Sequence, residues 1–353
     1  MRSRKPAVSR LRRALHDQEL RGAADAARVR EGQARAACLR LGRFGEVRTR
    51  TRLLLRMLPA LRIPPLLLAA IGCAARRPGW QRFALVFAYW HGVRSGADRR
   101  LWRQLTSGVV VLMYHAFTEH EPAGAYITPA RRFALQLALL RLTGWRLLTM
   151  EEFLAYRQTG DLPPPRSVVL TIDDGYRDMY DVAFRLLKRW QAHATVFAVS
   201  GLLGGANVWD RDGRLARRPL LTVQQLREMA AAGVSVGAHT RTHPMLPRLS
   251  DVELERELAG SRADLSAFGA PPAAFAYPFG ETSESVRAAV RRAGFSAAFG
   301  VETGINGPAT ADFALRRVPV CGNHSLLRFA LGVITGDPHI VPCRRPAKAL
   351  ASA

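Results

Sequence analysis

The strongest chemical signal in the sequence is a pair of adjacent carboxylates, Asp173 and Asp174, at the end of an apolar run. Residues 167–172, which precede them, are mostly apolar and β-branched, and this pattern predicts a buried strand. Because successive side chains on an extended chain point to opposite sides, the two carboxylates need not do the same task. One can hold a metal ion while the other faces a substrate or water, and Gly175 allows a sharp turn directly after them.

A second polar pair, His239 and His243, follows another short strand-like run at residues 233–238. Two histidines at this spacing can meet one ion if the turn between them is helical or tight. Adjacent acids alone often begin a solvated loop, and a single histidine is usually a surface or core residue. The combination of the two pairs, each at a strand end, favours a metal centre.

Four stretches of the sequence carry a resemblance to a known family. Residues 171–175, Thr-Ile-Asp-Asp-Gly, resemble the first motif of the polysaccharide deacetylase family (the NodB-homology domain, carbohydrate esterase 4). Residues 239–243, His-Thr-Arg-Thr-His, are similar to its second motif, and residues 275–280, Phe-Ala-Tyr-Pro-Phe-Gly, to its third. Residues 110–115, Val-Val-Leu-Met-Tyr-His, resemble the start of the domain in the branch that acts on exported polysaccharides. The likeness extends from about Val109 to about Gly336.

The resemblance implies a fold and an activity. The implied fold is an irregular (β/α) barrel of about seven parallel strands. The implied activity is the metal-dependent removal of N-acetyl groups from an amino-sugar polysaccharide or glycolipid. The residue pattern itself, with strands and helices alternating from Val109 to Gly336, indicates an α/β fold with a mainly parallel sheet. That pattern alone leaves an open doubly wound sheet as an alternative.

The resemblance also implies roles for individual residues. Asp174, His239 and His243 would bind one divalent ion, with Zn²⁺ as the expected metal, because one carboxylate and two imidazoles plus water form a catalytic zinc site. Asp173 would be the general base that takes a proton from that water. The backbone N–H of Phe279, in the third motif, would stabilise the oxyanion of the tetrahedral intermediate.

Two features depart from the family pattern. Many members carry an arginine in the third motif that orients the base, but none adjoins Tyr277 here, and Arg317 on a late strand is the candidate replacement. The usual fifth motif, a leucine followed closely by a histidine, is not evident, and His324 stands in a context that does not match. We therefore predict His115 as the general acid, the alternative being a core histidine bonded to backbone. The predicted substrate contacts are Tyr277, Trp209 and Arg317.

The same residues allow three alternative functions to be considered. A non-haem iron oxygenase also uses two histidines and one carboxylate, but its first histidine and its acid lie close in sequence, whereas here the two histidines are close and the acid is distant. A glycan-binding or membrane-scaffold protein on the same fold is the main alternative, and the intact Asp-Asp and His-x-x-x-His pairs weigh against it. No nucleic-acid-binding motif accompanies the arginine-rich N-terminus, so a nucleic-acid partner is not expected.

Composition restricts the class of protein further. The chain has 353 residues, 48% of them hydrophobic, and a formal net charge of +24 carried mainly by arginine. Such a charge favours anionic partners such as lipid surfaces or acidic glycans. A high GC content of the genome also raises the arginine content of a protein and accounts for part of this charge. The four cysteines show no CxxC spacing, which argues against a zinc ribbon or a disulfide framework and predicts free, buried thiols. They are Cys38, Cys73, Cys321 and Cys343.

The sequence predicts three parts. Residues 1–105 form a basic extension that is helical or partly disordered, residues 106–336 form the deacetylase-like domain, and residues 337–353 form a loose tail. No signal peptide is evident, which favours a cytoplasmic location or a peripheral one at the inner membrane over a periplasmic one.

The N-terminal extension contains an apolar stretch, Leu53–Ala75, that arginines and prolines interrupt. Its longest clean run is shorter than the roughly 20 residues that a spanning helix needs. Trp80, Tyr89 and Trp90 lie near arginines, as in segments that rest on a membrane surface. We therefore expect residues 53–100 either to lie on an anionic membrane surface without crossing it or to form a helical pair packed on the main domain.

Overall fold

The structure is a computed structural model that describes residues 5–31, 34, 65, 67, 80–120, 122–210, 215, 217–269 and 271–338. In that part of the chain, no helix is long and apolar enough to cross a membrane. The predicted loose tail lies, except for residues 337 and 338, outside the described residues.

The centre of the protein is a curved sheet of parallel strands in the order β10-β1-β5-β6-β7-β8-β9, with the short β4 also paired to β5. A separate parallel pair, β2 and β3, covers one end. The strands are β1 (Val109–Tyr114), β2 (Ala116–Thr118), β3 (Ile127–Pro129), β4 (Arg146–Leu147), β5 (Ser167–Ile172), β6 (Thr195–Ala198), β7 (Ser235–Ala238), β8 (Ala274–Ala276), β9 (Ala297–Phe299) and β10 (Val318–Pro319). The predicted irregular barrel of about seven parallel strands is confirmed.

Helices pack around the sheet, and the first three of them precede β1 whereas the others lie between or after the strands. They are α1 (Lys5–Arg30), α2 (Trp80–Gly96), α3 (Arg99–Ser107), α4 (Ala130–Leu142), α5 (Met150–Thr159), α6 (Phe184–Trp190), α7 (Val223–Ala231), α8 (Asp251–Leu265), α9 (Glu284–Arg292) and α10 (Leu326–Thr335). Helices α5, α7 and α8 begin at capping boxes, in which Thr149, Thr222 and Ser250 exchange hydrogen bonds with the residue three positions later. These starts agree with the sequence pattern.

Two elements differ from the sequence-based expectation. The helix expected over residues 181–190 is divided into a π-helical turn, Met179–Ala183, and α6. Such turns insert one extra residue into the helical ladder and are frequent beside functional sites. The late strand expected over residues 315–320 is divided between two neighbours: Val318–Pro319 pair with β1, whereas Leu315 forms an isolated parallel bridge to Phe299 on β9.

The core explains why the central strands are so apolar. Every residue of β1 and of β5 is buried, since helices cover the sheet outside and side chains fill the barrel inside. Thr171 is a polar exception in β5, and its hydroxyl donates a 2.8 Å hydrogen bond to the carbonyl of Leu112 on β1. The strand therefore carries Asp173 and Asp174 on a rigid support.

Helices α1 and α2 of the N-terminal extension run side by side in the same direction. Leu15 packs near Ala84 and Ala88, and at the far end Arg30 donates to the carbonyl of Gly96. A side chain at Gly22 would overlap the backbone of α2, so small residues allow the two backbones to meet. Within the extension predicted over residues 1–105, α1 is helical.

Partly buried polar contacts link the same two helices. Tyr89 donates its hydroxyl to Asp25 at 2.7 Å, and His91 Nδ1 lies 2.7 Å from a carboxylate oxygen of Glu19. Tyr89 and Trp90 are both buried, so neither ring is displayed to a membrane surface. Helix α2 therefore packs against α1, a pairing that the sequence did not predict, and Leu53–Ala75 lies outside the described residues except for positions 65 and 67.

Candidate active site

The candidate catalytic residues follow strands at their carboxyl ends. Asp173 and Asp174 follow β5, His239 follows β7, Tyr277 follows β8 and His115 follows β1. In a barrel of parallel strands these ends meet on one face, where active sites are built. One cavity of about 540 Å³ lies there. All predicted site residues line it, namely His115, Asp173, Asp174, Trp209, His239, His243, Tyr277, Phe279 and Arg317.

Three buried side chains converge in this cavity. Oδ1 of Asp174 lies 3.4 Å from Nε2 of His239 and 3.4 Å from Nε2 of His243, and the ligand atoms all lie within 4.8 Å of one another. Nδ1 of His239 is 2.8 Å from the carbonyl of Ala276, which places the ring proton on Nδ1 and turns the Nε2 lone pair toward Asp174. A carboxylate oxygen and two imidazole nitrogens in this arrangement fit a divalent metal such as Zn²⁺.

The electrostatics of these groups suit ligands. Burial alone would raise the pKa of Asp174, but the adjacent imidazoles of His239 and His243 hold that pKa well below its usual value. Burial lowers the pKa of His243, and the neighbouring Asp174 only partly opposes this. The carboxylate is therefore ionised and the imidazole neutral at neutral pH, which are the forms that bind a metal.

Asp173 is paired with a buried arginine. Its Oδ1 lies 2.6 Å from Nη1 of Arg317, a side chain with no exposed surface, whose Nε also donates to the carbonyl of Gly300 at 2.9 Å. Burial would raise the pKa of Asp173, but the charge of Arg317, then those of His239 and His115, bring that pKa below its usual value. The guanidinium of Arg317 thus contacts the predicted base directly, and its side chain has no exposed surface.

Comparison with known proteins identifies the family. Residues 161–298 match the family model described as polysaccharide deacetylase. This segment is similar to the polysaccharide deacetylase family. The Bacillus subtilis protein YxkH is 27% identical over 211 residues, which cover 60% of this chain and 70% of that protein. The poly-beta-1,6-N-acetyl-D-glucosamine N-deacetylase of Staphylococcus aureus strain MRSA252 is 25% identical over 213 residues, or 57% of this chain and 70% of that protein.

A solved structure agrees with these relatives. The Streptococcus pyogenes deacetylase PplD, in complex with acetate, superposes with a TM-score of 0.56 at 26% identity, over 64% of this chain and 98% of that chain. The predictions of this family and of an N-deacetylase enzyme are confirmed.

Backbone strain is concentrated at the deacetylase motifs. Asp174, Thr240, His243 and Phe279 have φ values of 73°, 65°, 61° and 58°, in the left-handed region that L-residues rarely adopt. Such conformations persist only where surrounding contacts impose them, and they cluster at functional sites. They aim the motif side chains into the cavity.

A carboxylate on α8 holds the second motif in its strained shape. Glu257 accepts hydrogen bonds from the backbone N–H of Arg241 at 2.7 Å, the backbone N–H of Thr242 at 3.0 Å and the hydroxyl of Thr242 at 2.6 Å. Within the turn, the hydroxyl of Thr240 accepts the N–H of His243 at 2.9 Å. Glu257 could not be recognised from the sequence, because nothing in its local pattern distinguishes it from the other acids of α8.

Replacing Glu257 with alanine is therefore expected to lower metal affinity about tenfold, since groups that orient metal ligands typically contribute 10–100-fold. Chelator competition would measure this without reference to turnover. Glu257→Gln should restore most of the affinity, because its amide oxygen can still accept both N–H groups. Glu255→Ala on the same helix is the control, and an equal loss there would contradict the anchoring role.

Aromatic rings enclose the second histidine of the site. Trp209 stacks on the ring of His243 with centroids 4.4 Å apart, and Phe279 meets the same ring edge-on at 4.5 Å. Trp209 is half-buried and Phe279 is exposed at the cavity mouth. Both therefore can contact a substrate that enters the cavity, as predicted for Trp209.

Tyr277 and His115 occupy different positions in the wall. Tyr277 is buried and donates its hydroxyl to the carbonyl of Phe313 at 3.0 Å, so its predicted substrate contact is limited to its ring. His115 is half-buried and meets the ring of Tyr126 edge-on at 4.9 Å. His324 is buried but does not line the cavity.

Two further cavity residues carry chemistry that the sequence analysis did not use. Tyr176, the residue after Gly175, is buried, and burial followed by the charge and hydrogen bond of Asp174 raises its pKa. Its hydroxyl therefore stays protonated beside that ligand. Cys321 lines the cavity and is half-buried, so the prediction of a buried thiol is wrong for this cysteine. The other three cysteines lie outside the described residues.

Proposed function

We propose that this protein is a metal-dependent hydrolase that removes N-acetyl groups from an amino-sugar polysaccharide or glycolipid. The observation that carries the proposal is the convergence of Asp174, His239 and His243 beside the Asp173–Arg317 pair at the carboxyl end of the barrel. The relative named as a poly-beta-1,6-N-acetyl-D-glucosamine N-deacetylase supports an N-acetylated amino-sugar polymer as the substrate class.

The chain's own residues divide the work of deacetylation. A divalent ion held by the three ligands would supply Lewis-acid polarisation and a water of lowered pKa. Asp173 accepts the proton of the attacking water, and Arg317 keeps that carboxylate ionised and oriented. The N–H of Phe279 stabilises the oxyanion, and His115 returns a proton to the nitrogen of the departing amine.

His115→Ala is expected to reduce turnover about 10²-fold while metal affinity stays unchanged, because a general acid contributes on this scale. An amide nitrogen leaves poorly as an anion, so the reaction depends on a proton donor beside the departing nitrogen. The alkaline limb of the pH–rate profile should flatten in this variant. If the pH–rate profile of the variant keeps the shape of the wild-type profile, another group donates the proton to the departing amine.

The proposal is tested by acetate release. Purified protein would be offered N-acetylglucosamine oligomers of several lengths and lipid-linked N-acetylated sugars, with chelator and after Zn²⁺ is restored. Acetate release that the chelator abolishes, seen with only one of these two classes of compound, would identify the substrate class. Tight binding of an oligomer without acetate release by the metal-loaded protein would favour the glycan-binding alternative instead.

The proposed location is peripheral, at the inner membrane surface. The net charge of +24 supports it, because anionic lipid headgroups attract polycations. Within residues 53–100, we propose that residues 53–79 make the membrane contact. Tyr89 and Trp90 on α2 are buried and are not available for it.

A further inference from the structure

An unusually apolar outer face lies on the neighbouring helices α4 and α10. Leu142 is 86% exposed and Leu327 is 69% exposed, and Leu135, Leu326 and Ile334 are also exposed. Helix α10 buries Phe329 and Val333 on its inner side, so it is apolar on both sides. A helix with this composition is ordinarily covered, and clustered exposed apolar residues indicate an interaction surface.

A groove opens between the two helices. Its volume is about 740 Å³, and Leu139, Trp145 and Phe329 are among the residues that line it. Gly108 and Arg166 also line it, and they immediately precede β1 and β5. The groove therefore lies at the amino ends of the strands, opposite the catalytic cavity.

The charged residues on the two helices themselves are all arginines. Residues 122–150 and 313–336, which contain both helices, include no aspartate or glutamate. Arg141 donates to the carbonyls of Trp190 and Gln191, and Arg166 donates to the carbonyl of Thr143. A neutral carbonyl leaves the positive charge of a guanidinium uncompensated, and Arg131 is exposed on the same helix as Arg141.

We propose that the α4–α10 face docks on an anionic phospholipid bilayer. Exposed leucine and isoleucine side chains would enter the boundary between headgroups and acyl chains, Trp145 would lie at that boundary, and the arginines would contact lipid phosphates. A second copy of the chain fits less well, because two faces that carry only arginines would repel each other.

This orientation directs the catalytic cavity away from the bilayer. Strand β5 separates the two ends of the barrel, and its length corresponds to about 20 Å at 3.3 Å per residue. If the proposed deacetylase function holds, the arrangement favours a polymer strand that reaches the cavity from solution over a sugar at the lipid headgroup.

Vesicle binding by the full chain tests the docking face. The wild type should bind phosphatidylcholine vesicles that contain phosphatidylglycerol, in a salt-sensitive way, and should bind pure phosphatidylcholine vesicles much more weakly. Leu142→Ser/Leu327→Ser should weaken binding about tenfold or more, because two apolar side chains no longer leave water. Val223→Ser/Val252→Ser, at exposed valines on α7 and α8, is the matched control and should bind as the wild type does.

Several outcomes would overturn the proposal. One is equal binding by the two double variants, and another is equal binding to neutral and anionic vesicles. A third is Leu66→Ser/Leu68→Ser abolishing binding while Leu142→Ser/Leu327→Ser retains it, which would assign the contact to the N-terminal extension. Loss of self-association in the face variant, with no vesicle binding by the wild type, would identify a second copy as the occupant. Acetate release from soluble oligomers by the face variant reports separately on the deacetylase function.

Discussion

His243→Ala is expected to lose the bound metal and acetate release together. The variant removes one of three protein ligands, and the remaining pair, Asp174 and His239, cannot complete a stable site. The ring of His243 also separates Trp209 from Phe279, so its removal leaves a gap between them in the cavity wall. Metal content per chain, measured after dialysis against a weak chelator, should fall to background.

The matched control is His193→Ala, which removes an exposed histidine outside the cavity. It should retain both metal and turnover. Full metal occupancy in the His243→Ala protein would contradict the assignment of His243 as a ligand, whatever the activity of that variant.

Asp173→Asn is expected to keep the metal but to lose about 10²–10⁴ in turnover, the usual contribution of a general base. The amide nearly preserves the shape of the side chain, but it cannot accept the proton of the attacking water. It also leaves the buried Arg317 without its carboxylate, and breaking a buried ion pair from one side typically costs about 3–5 kcal/mol. A lower melting temperature should therefore accompany the lost turnover.

Asp174→Asn provides the comparison for that experiment. It should lose metal, because it weakens a ligand that lies 3.4 Å from both imidazoles. If Asp173→Asn loses metal as readily as Asp174→Asn does, the roles of the two aspartates are exchanged.

The residues of the metal site could be predicted from the sequence because the patterns that indicate them are short and local. Asp173 and Asp174 end an apolar run, and the spacing of His239 and His243 is contained in one turn. Short-range patterns of this kind specify which residue types arrive together at a strand end, and they place helix starts such as Thr149. The family resemblance then provided the barrel, which alternation alone left open.

Tertiary structure decided which distant groups complete the site. Arg317 meets Asp173 across 144 positions of sequence, and Glu257 reaches the second motif from another helix. Neither pairing has a local signature, because side chains far apart in sequence become neighbours only through strand order and helix packing.

The sequence by itself therefore determined the fold class, the residue types of the metal centre and the large positive charge. The structure decided that Arg317 lies beneath the base, that Tyr89 and Trp90 are buried between helices, and that the α4–α10 face is exposed. The physical reason is that periodicity specifies which side of an element is apolar but not which neighbour covers it. Helix α10 is the clearest example, because it is apolar on both sides and its sequence does not show which side the barrel covers.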